Sequence, residues 1–411
     1  MSGVRRLSAM SADLARARRG GAFGPDERDA AARILAEVRR EGDEAVLRTV
    51  RRFDDPQARG SDLLVDARAL RRAARRITPE LRTALDLAYR RIRAFHEAQR
   101  PRTVVRSDRD AMTRLLATPL GRVGALVPRG AAGYPSTVLM TGIPAQVAGV
   151  RELVVASPMT AGAEVDPALA YALTLVDAQA LYRAGGAAAV GALADGTRAV
   201  PRADKIVGPG NAYAAAAKWL VSAEVGIDAL QGPSELVVVA GPDADTDALR
   251  LDLLAQAEHG SGAFAMLVST SIALLRAVAA ALGTDEGAAR VFLYHAPSLR
   301  LALRAANDAA PEHVLLAGRD AARFADAIDR AGAVFVGMRS AVAFGDYVAG
   351  TNHCLPTGGT ARWASALRVD DFMRWTSRIE IRRPARLAQA GAAIARHERM
   401  RSHADSMEVR G

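Results

Sequence analysis

Three of the chain's seven histidines lie in compact polar segments of its C-terminal half: Gln256-Ala257-Glu258-His259, Ala310-Pro311-Glu312-His313, and the run from Gly345-Asp346 to Asn352-His353. A fourth, His403, sits near the C-terminus. Imidazole titrates near neutral pH and ligates divalent metals, and a neighbouring carboxylate can share either task. Gln256 and His259, three apart on a predicted helix, fall on one face, where an amide oxygen and a ring nitrogen can bind one cation. Glu312-His313 stands at the mouth of a predicted strand, where one group can take a proton while the other activates or orients water. Asp346 and His353 share a Gly-containing, loop-like stretch. Each pattern also has a plainer reading: a surface or core pair, a solvated strand start, an Asx-turn beside a loop histidine. His403 alone carries no signal.

The elements that must position these groups alternate. Residues 26–53 carry two helical patterns separated by Gly42, and 79–100 read as one long helix. Short β-type runs then appear at Val123–Val127, Leu153–Ala156, Lys205–Val207, Leu236–Ala240, Ala265–Val268, Val314–Leu316 and Ala333–Val336, many separated by Ala-rich helical stretches. This predicts an α/β fold with largely parallel sheets. Asp247–His259 reads as a helix with Thr246 as N-cap and Gly260 as its stop. Gly and Pro mark the strand ends at Pro128-Arg129-Gly130, Gly208-Pro209-Gly210-Asn211 and Gly232-Pro233-Ser234-Glu235. Such turns are where open α/β sheets place ligands, yet none is a G-x-G-x-x-G or a P-loop.

Composition narrows the classes. A chain of 411 residues, half of them hydrophobic, can bury the cores of two lobes. The net charge of +10 comes from Arg scattered among Ala, Leu and Asp, since Lys205 and Lys218 are the only lysines. Without clustered Arg and interleaved aromatics this predicts a solvated basic surface and no nucleic-acid binding. No apolar run reaches the roughly 18 residues of a membrane span, so no membrane association is expected. The lone Cys354 excludes a disulfide framework within the chain and points to a cytoplasmic setting. Met1–Gly20 lacks the apolar core of a secretory signal and reads as a short amphipathic arm.

Taken in order, the motifs resemble the histidinol dehydrogenase family almost end to end. The resemblance rests on Ile34–Asp43, Ile92–His96, Tyr134–Met140, Asp204–Tyr213, Gly232–Glu235, the three histidine segments, Leu355–Arg362 and His403. It implies two Rossmann-like lobes with mostly parallel sheets, a helical N-terminal arm and a C-terminal tail swapped across a dimer. The expected bounds are 1–23 for the arm, 24–125 with 235–367 for the first lobe, 126–234 for the second, and 368–411 for the tail. It also implies a Zn2+ site of Gln256, His259, Asp346 and His403, the last from the partner subunit of a homodimer together with Glu398. Glu312 and His313 match the catalytic pair, and Ser136, Ser234, His353 and Glu398 match substrate contacts. The implied activity is oxidation of L-histidinol to L-histidine in two NAD-linked steps through a bound aldehyde. Gly358-Gly359-Thr360-Ala361-Arg362 is of the histidinol type.

The departures gather on the cofactor side. Leu126 and Ala188 stand where the resemblance implies a Tyr and a Gln, and Arg129 stands where it implies a Gly; Asn211 remains. Two other readings stay open: a paralogue oxidising another small amino or sulfonated alcohol with the same zinc site, and a zinc protein without NAD redox activity.

Overall fold

The computed structural model describes residues 3–129, 132–159, 162, 164–260 and 262–411. Two six-stranded sheets and one three-stranded sheet organise them. The first sheet orders its strands Arg5–Arg6, Val291–His295, Phe264–Ser269, Glu235–Ala240, His313–Ala317 and Ala333–Val336, all parallel. The second orders Leu64–Asp66, Ala180–Tyr182, Glu152–Ala156, Arg122–Leu126, Lys205–Val207 and Gly226–Ile227, parallel except for Leu64–Asp66. Both central strands are apolar runs buried on both faces, as strands covered by helices on each side must be. The fold is α/β with mostly parallel sheets, as the alternation predicts.

Each sheet reverses its strand order beside its central strand. In the second, successive strands step outward from Arg122–Leu126 through Glu152–Ala156 to Ala180–Tyr182, and Lys205–Val207 then starts on the other side. That switch point opens a crevice at the carboxyl ends of Arg122–Leu126 and Lys205–Val207. The turn Gly208–Asn211 lines it, with Gly208 at φ +96° so close to Leu126 that a Cβ would lie 2.3 Å from the Leu126 carbonyl oxygen. The facing turn, Pro128-Arg129-Gly130, reaches outside the described residues at Gly130.

The lobe boundary differs from the expected one. Arg122–Leu126 is a central strand of the second sheet, so that lobe cannot begin at Leu126. Helices Pro25–Glu41 and Asp43–Phe53 also pack there, through Ala31, Val38, Val46 and Val50 against Leu126, Ala156 and Tyr182. Helix Pro79–Glu97 joins the opposite core of the same sheet through Leu85 and Ile92. Residues 25–97 and 122–126 therefore pack with the second sheet rather than the first, while Val104–Ser107 and Ala111–Pro119 join Met373–Ile381 in the three-stranded sheet. An apolar strand places its neighbours only through its pairing partners, which lie later in the chain.

The termini also take definite places. Arg5–Arg6 extends the first sheet, and helix Met10–Ala17 buries Met10 in its core. Buried Asp13 receives Arg5 at 2.7 Å and the Tyr294 hydroxyl at 2.9 Å, which fastens the arm. In the tail, Met373–Ile381 pairs antiparallel with Ala111–Pro119 before helices Ala385–His397 and Arg401–Glu408.

Candidate active site

The three histidine segments converge, together with Ser234 and Glu235, at the amino ends of strands Glu235–Ala240 and His313–Ala317. These strands are neighbours, with His313 in register with Leu236. This is the opposite end from the one where open α/β sheets place ligands.

Helix Thr246–Ala257 carries Gln256 on its last turn, and His259 lies just beyond it. The N-cap is Asp245, not Thr246: the Asp245 carboxylate accepts from Ala248 N at 2.8 Å. The helix ends at Ala257, two residues before the expected limit, with Glu258 as C-cap.

A hydrogen-bond chain runs from this helix into the sheet. Gln256 Nε2 donates to Ser234 Oγ at 2.9 Å, and Ser234 Oγ donates to Glu312 Oε2 at 2.5 Å. Glu235 N donates to the same Glu312 oxygen at 3.1 Å. This polarity leaves Gln256 Oε1 buried with no hydrogen-bond partner among the described residues. An unpaired buried carbonyl is costly, which points to a missing electropositive partner.

The imidazoles share one orientation. His259 Nδ1 lies 3.3 Å from Ala255 O, His313 Nδ1 3.2 Å from Glu235 O, and His353 Nδ1 3.0 Å from Asp346 O. A backbone carbonyl can only accept, so each Nδ1 donates and each neutral ring keeps its lone pair on Nε2. His259 Nε2 faces Asp346 Oδ2 at 3.8 Å, too far for a hydrogen bond. Two electron-pair donors face each other there, and the buried Gln256 oxygen lies on the same helix end. This donor set fits a borderline cation such as Zn2+.

Position is enforced by packing. The Phe335 ring packs tilted against His313, 5.9 Å between centroids, and a Cβ on Gly345 would lie 2.6 Å from Phe335 Cζ. Phe335 thus wedges the base against the segment carrying Asp346. Gly345→Ala is expected to cost about 1–3 kcal/mol through overpacking, read as a lower urea midpoint. Adding Phe335→Leu should recover part of that loss. His353 is held by its neighbour. Pro144 lacks the N–H that would reach the Met140 carbonyl, and Asn352 Nδ2 donates to that carbonyl instead at 2.7 Å.

Burial sets the proton affinities. It pushes the Glu312 carboxyl up to about 8, against the downward pull of its bonds from Ser234 and Glu235. It drives His313 and His353 down to about 4. Burial also raises the Asp346 carboxyl. At neutral pH His313 is therefore an unprotonated base. Its depressed pKa has a stability consequence. Below pH 6.5 an unfolded histidine binds a proton that folded His313 refuses, so its contribution is lost as pH falls toward 4. In metal-free protein, wild type should lose Tm relative to His313→Asn across that window. A difference independent of pH would contradict a buried neutral ring.

Other expected residues stand apart. His403 and Glu398 are exposed on the C-terminal helical hairpin. Among the described residues no group of three His, Cys, Asp or Glu side chains is arranged to hold a metal, so His403 does not join His259 and Asp346 within one chain. Ser136 lies half-buried on the first turn of helix Pro135–Ala148, without a hydrogen bond to the cluster among the described residues.

The sequence profile of the histidinol dehydrogenase family matches residues 22–411. The chain belongs to the histidinol dehydrogenase family. Histidinol dehydrogenase 2 of Nostoc sp. is 41% identical over 392 residues, covering 92% of this chain and 90% of the relative. The Gluconobacter oxydans histidinol dehydrogenase is 42% identical over 414 residues, covering 95% and 94%. The crystal structure of histidinol dehydrogenase from Elizabethkingia anophelis superposes with a TM-score of 0.88 at 30% identity, covering 94% of this chain and 92% of that one.

Against this family pattern, the cofactor-side departures have a structural counterpart. Leu126 and Ala188 are both buried in the apolar core of the second lobe. Asn211 caps helix Ala212–Val221, its Oδ1 accepting from Ala214 N at 3.0 Å. The turn before it is clamped by a group that belongs to none of the sequence motifs. Buried Lys218 donates to Gly208 O at 3.0 Å and pairs with Asp228, whose other oxygen accepts from Gly208 N at 2.7 Å. Its being one of only two lysines in an arginine-rich chain is the available signal.

Proposed function

We propose that this protein oxidises L-histidinol to L-histidine in two NAD-linked steps, with the aldehyde held between them. The observation that carries the reading is the shared polarity of the site. Three Nε2 atoms and the unpaired Gln256 Oε1 are left open, because each histidine's Nδ1 is engaged by a backbone carbonyl and Gln256 Nε2 by Ser234.

Zn2+, when bound, would be held by Gln256, His259 and Asp346 with His403 of a second copy, and would supply Lewis acidity and an anchor for the substrate's amine and imidazole. The exposure of His403 and Glu398 supports their service to a partner subunit in a homodimer. NAD, when bound, supplies the hydride acceptor in each step, and the crevice at Gly208–Asn211 is where it would lie.

The chain's own residues do the proton work. His313 Nε2 takes the alcohol proton as the carbon loses hydride, giving the aldehyde. Its Nδ1–H, held on Glu235 O, stabilises the charge the ring acquires. Glu312, once ionised toward its raised pKa of about 8, then takes a proton from water as the oxygen adds to the aldehyde, so the second step should quicken as pH rises toward that value. The resulting hydrate loses a second hydride and a proton to give the carboxylate. Ser234 Oγ–H and Glu235 N–H hold the Glu312 carboxylate in place. Ser136, His353 and Glu398 complete the substrate contacts in this reading.

No helix among the described residues is long and apolar enough to cross a membrane. The reading takes the enzyme to work in the cytoplasm, where the buried Cys354 thiol stays reduced. Appearance of NADH on adding L-histidinol to zinc-loaded protein, followed at the nicotinamide absorbance, tests it. Turnover of other amino or sulfonated alcohols without histidinol would replace it.

A further inference from the structure

The N-terminal arm reaches the catalytic pair through one residue. Arg18 Nε and Nη2 donate to the two carboxylate oxygens of Glu235, each at 2.6 Å. Both side chains are largely buried, with 16% and 2% of their surfaces exposed. Glu235 Oε1 also accepts from Gly358 N at 3.1 Å. The glycines around Arg18 mark the closeness of the fit. A Cβ on Gly359 would lie 2.8 Å from Arg18 Nη1, and one on Gly232 would lie 3.3 Å from Ala22 Cα. The arm thus rests on both turns that frame the site.

Glu235 is the residue whose main chain serves both catalytic groups. Its N–H donates to Glu312 Oε2, and its carbonyl accepts from His313 Nδ1. Its side-chain hydrogen bonds go to Arg18 and Gly358, and its charge raises the proton affinity of both catalytic groups. The family match begins at residue 22, so Arg18 lies outside it.

We propose that Arg18 is a positioning residue for the reaction: its two-pronged grip on the Glu235 carboxylate fixes the main chain that holds Glu312 and His313 in register. This rests on the proposed roles of those two residues. A guanidinium suits the task because its planar fork matches both carboxylate oxygens, which an ammonium cannot. Loosening the grip lets the Glu235 peptide rotate, which misplaces the proton acceptors of both oxidation steps together.

Arg18→Lys keeps the charge and loses the fork. The pair Arg18→Gln with Glu235→Gln removes both buried charges, so that neither is left unpaired. In each, kcat should fall about 10–100-fold in both half-reactions, the range that follows from small misplacements of reacting groups. The KM for histidinol should stay within about twofold, since Arg18 is expected to contact no substrate. A second readout is independent of turnover. In protein labelled with 15N-histidine, the signal lost in His313→Asn should show a single Nδ1–H form in wild type and a mixture of both tautomers in Arg18→Lys. A kcat within twofold of wild type, or an unchanged His313 tautomer, would overturn the proposal even if Tm falls. A wild type that does not oxidise histidinol would instead remove the functional reading, leaving the tautomer comparison to decide on Arg18.

Discussion

A Glu312→Gln protein is expected to oxidise the alcohol and stall at the aldehyde, with the second step slowed about 10²–10⁴-fold. Glutamine is nearly isosteric, and its carbonyl can still accept from Ser234 Oγ and Glu235 N, which both bond to Oε2 in the native site. What it cannot do is take a proton from water. His313 is untouched by the change, with its Nδ1–H on Glu235 O and Nε2 free. The check is single-turnover kinetics with histidinol and with the aldehyde as separate substrates. Equal losses in both would assign Glu312 a role in binding, or in both proton transfers, and would contradict the division of labour.

His259→Ala is expected to weaken metal binding by at least about 10–100-fold, with turnover lost in proportion. The ring is only partly buried, with 40% of its side chain exposed, so its removal leaves no large core cavity. What disappears is the Nε2 lone pair opposite Asp346 Oδ2. Zinc content after dialysis, measured by atomic emission, separates this from a folding defect. A variant that keeps both zinc and activity would refute the assignment of His259 as a ligand.

The parts of this fold that could be read in the sequence are those with local causes. Central strands such as Glu235–Ala240 and Phe264–Ser269 are unbroken apolar runs bounded by turn residues, and they form where the pattern predicts. Edge strands of two or three residues, Arg5–Arg6, Leu64–Asp66 and Gly226–Ile227, are too short to carry a period. Met373–Ile381 carries no strand pattern because it is almost wholly exposed, with arginines interrupting its apolar positions. The lobe boundary is not legible because Arg122–Leu126 has the same apolar pattern whichever sheet it joins.

The candidate site divides in the same way. Gln256 with His259, Glu312 with His313, and Asp346 with His353 are each near neighbours in sequence, and their chemistry could be argued from spacing. Their convergence on the amino ends of two strands could not, since strand direction and pairing are not written in a short motif. The Arg18–Glu235 pair spans 217 positions. It has no local signature, although the Glu235 main chain bonds both Glu312 and His313. Leu126 and Ala188 were visible as departures, and the structure shows both side chains packed in the core.

The central claim is that one site carries the alcohol through to the acid without releasing the aldehyde. The most direct measurement is the yield of NADH per histidinol consumed by zinc-loaded protein, with an aldehyde trap such as semicarbazide present. The account predicts two NADH per histidinol, histidine as product, and no trapped aldehyde. One NADH per histidinol with aldehyde recovered in the trap would contradict it.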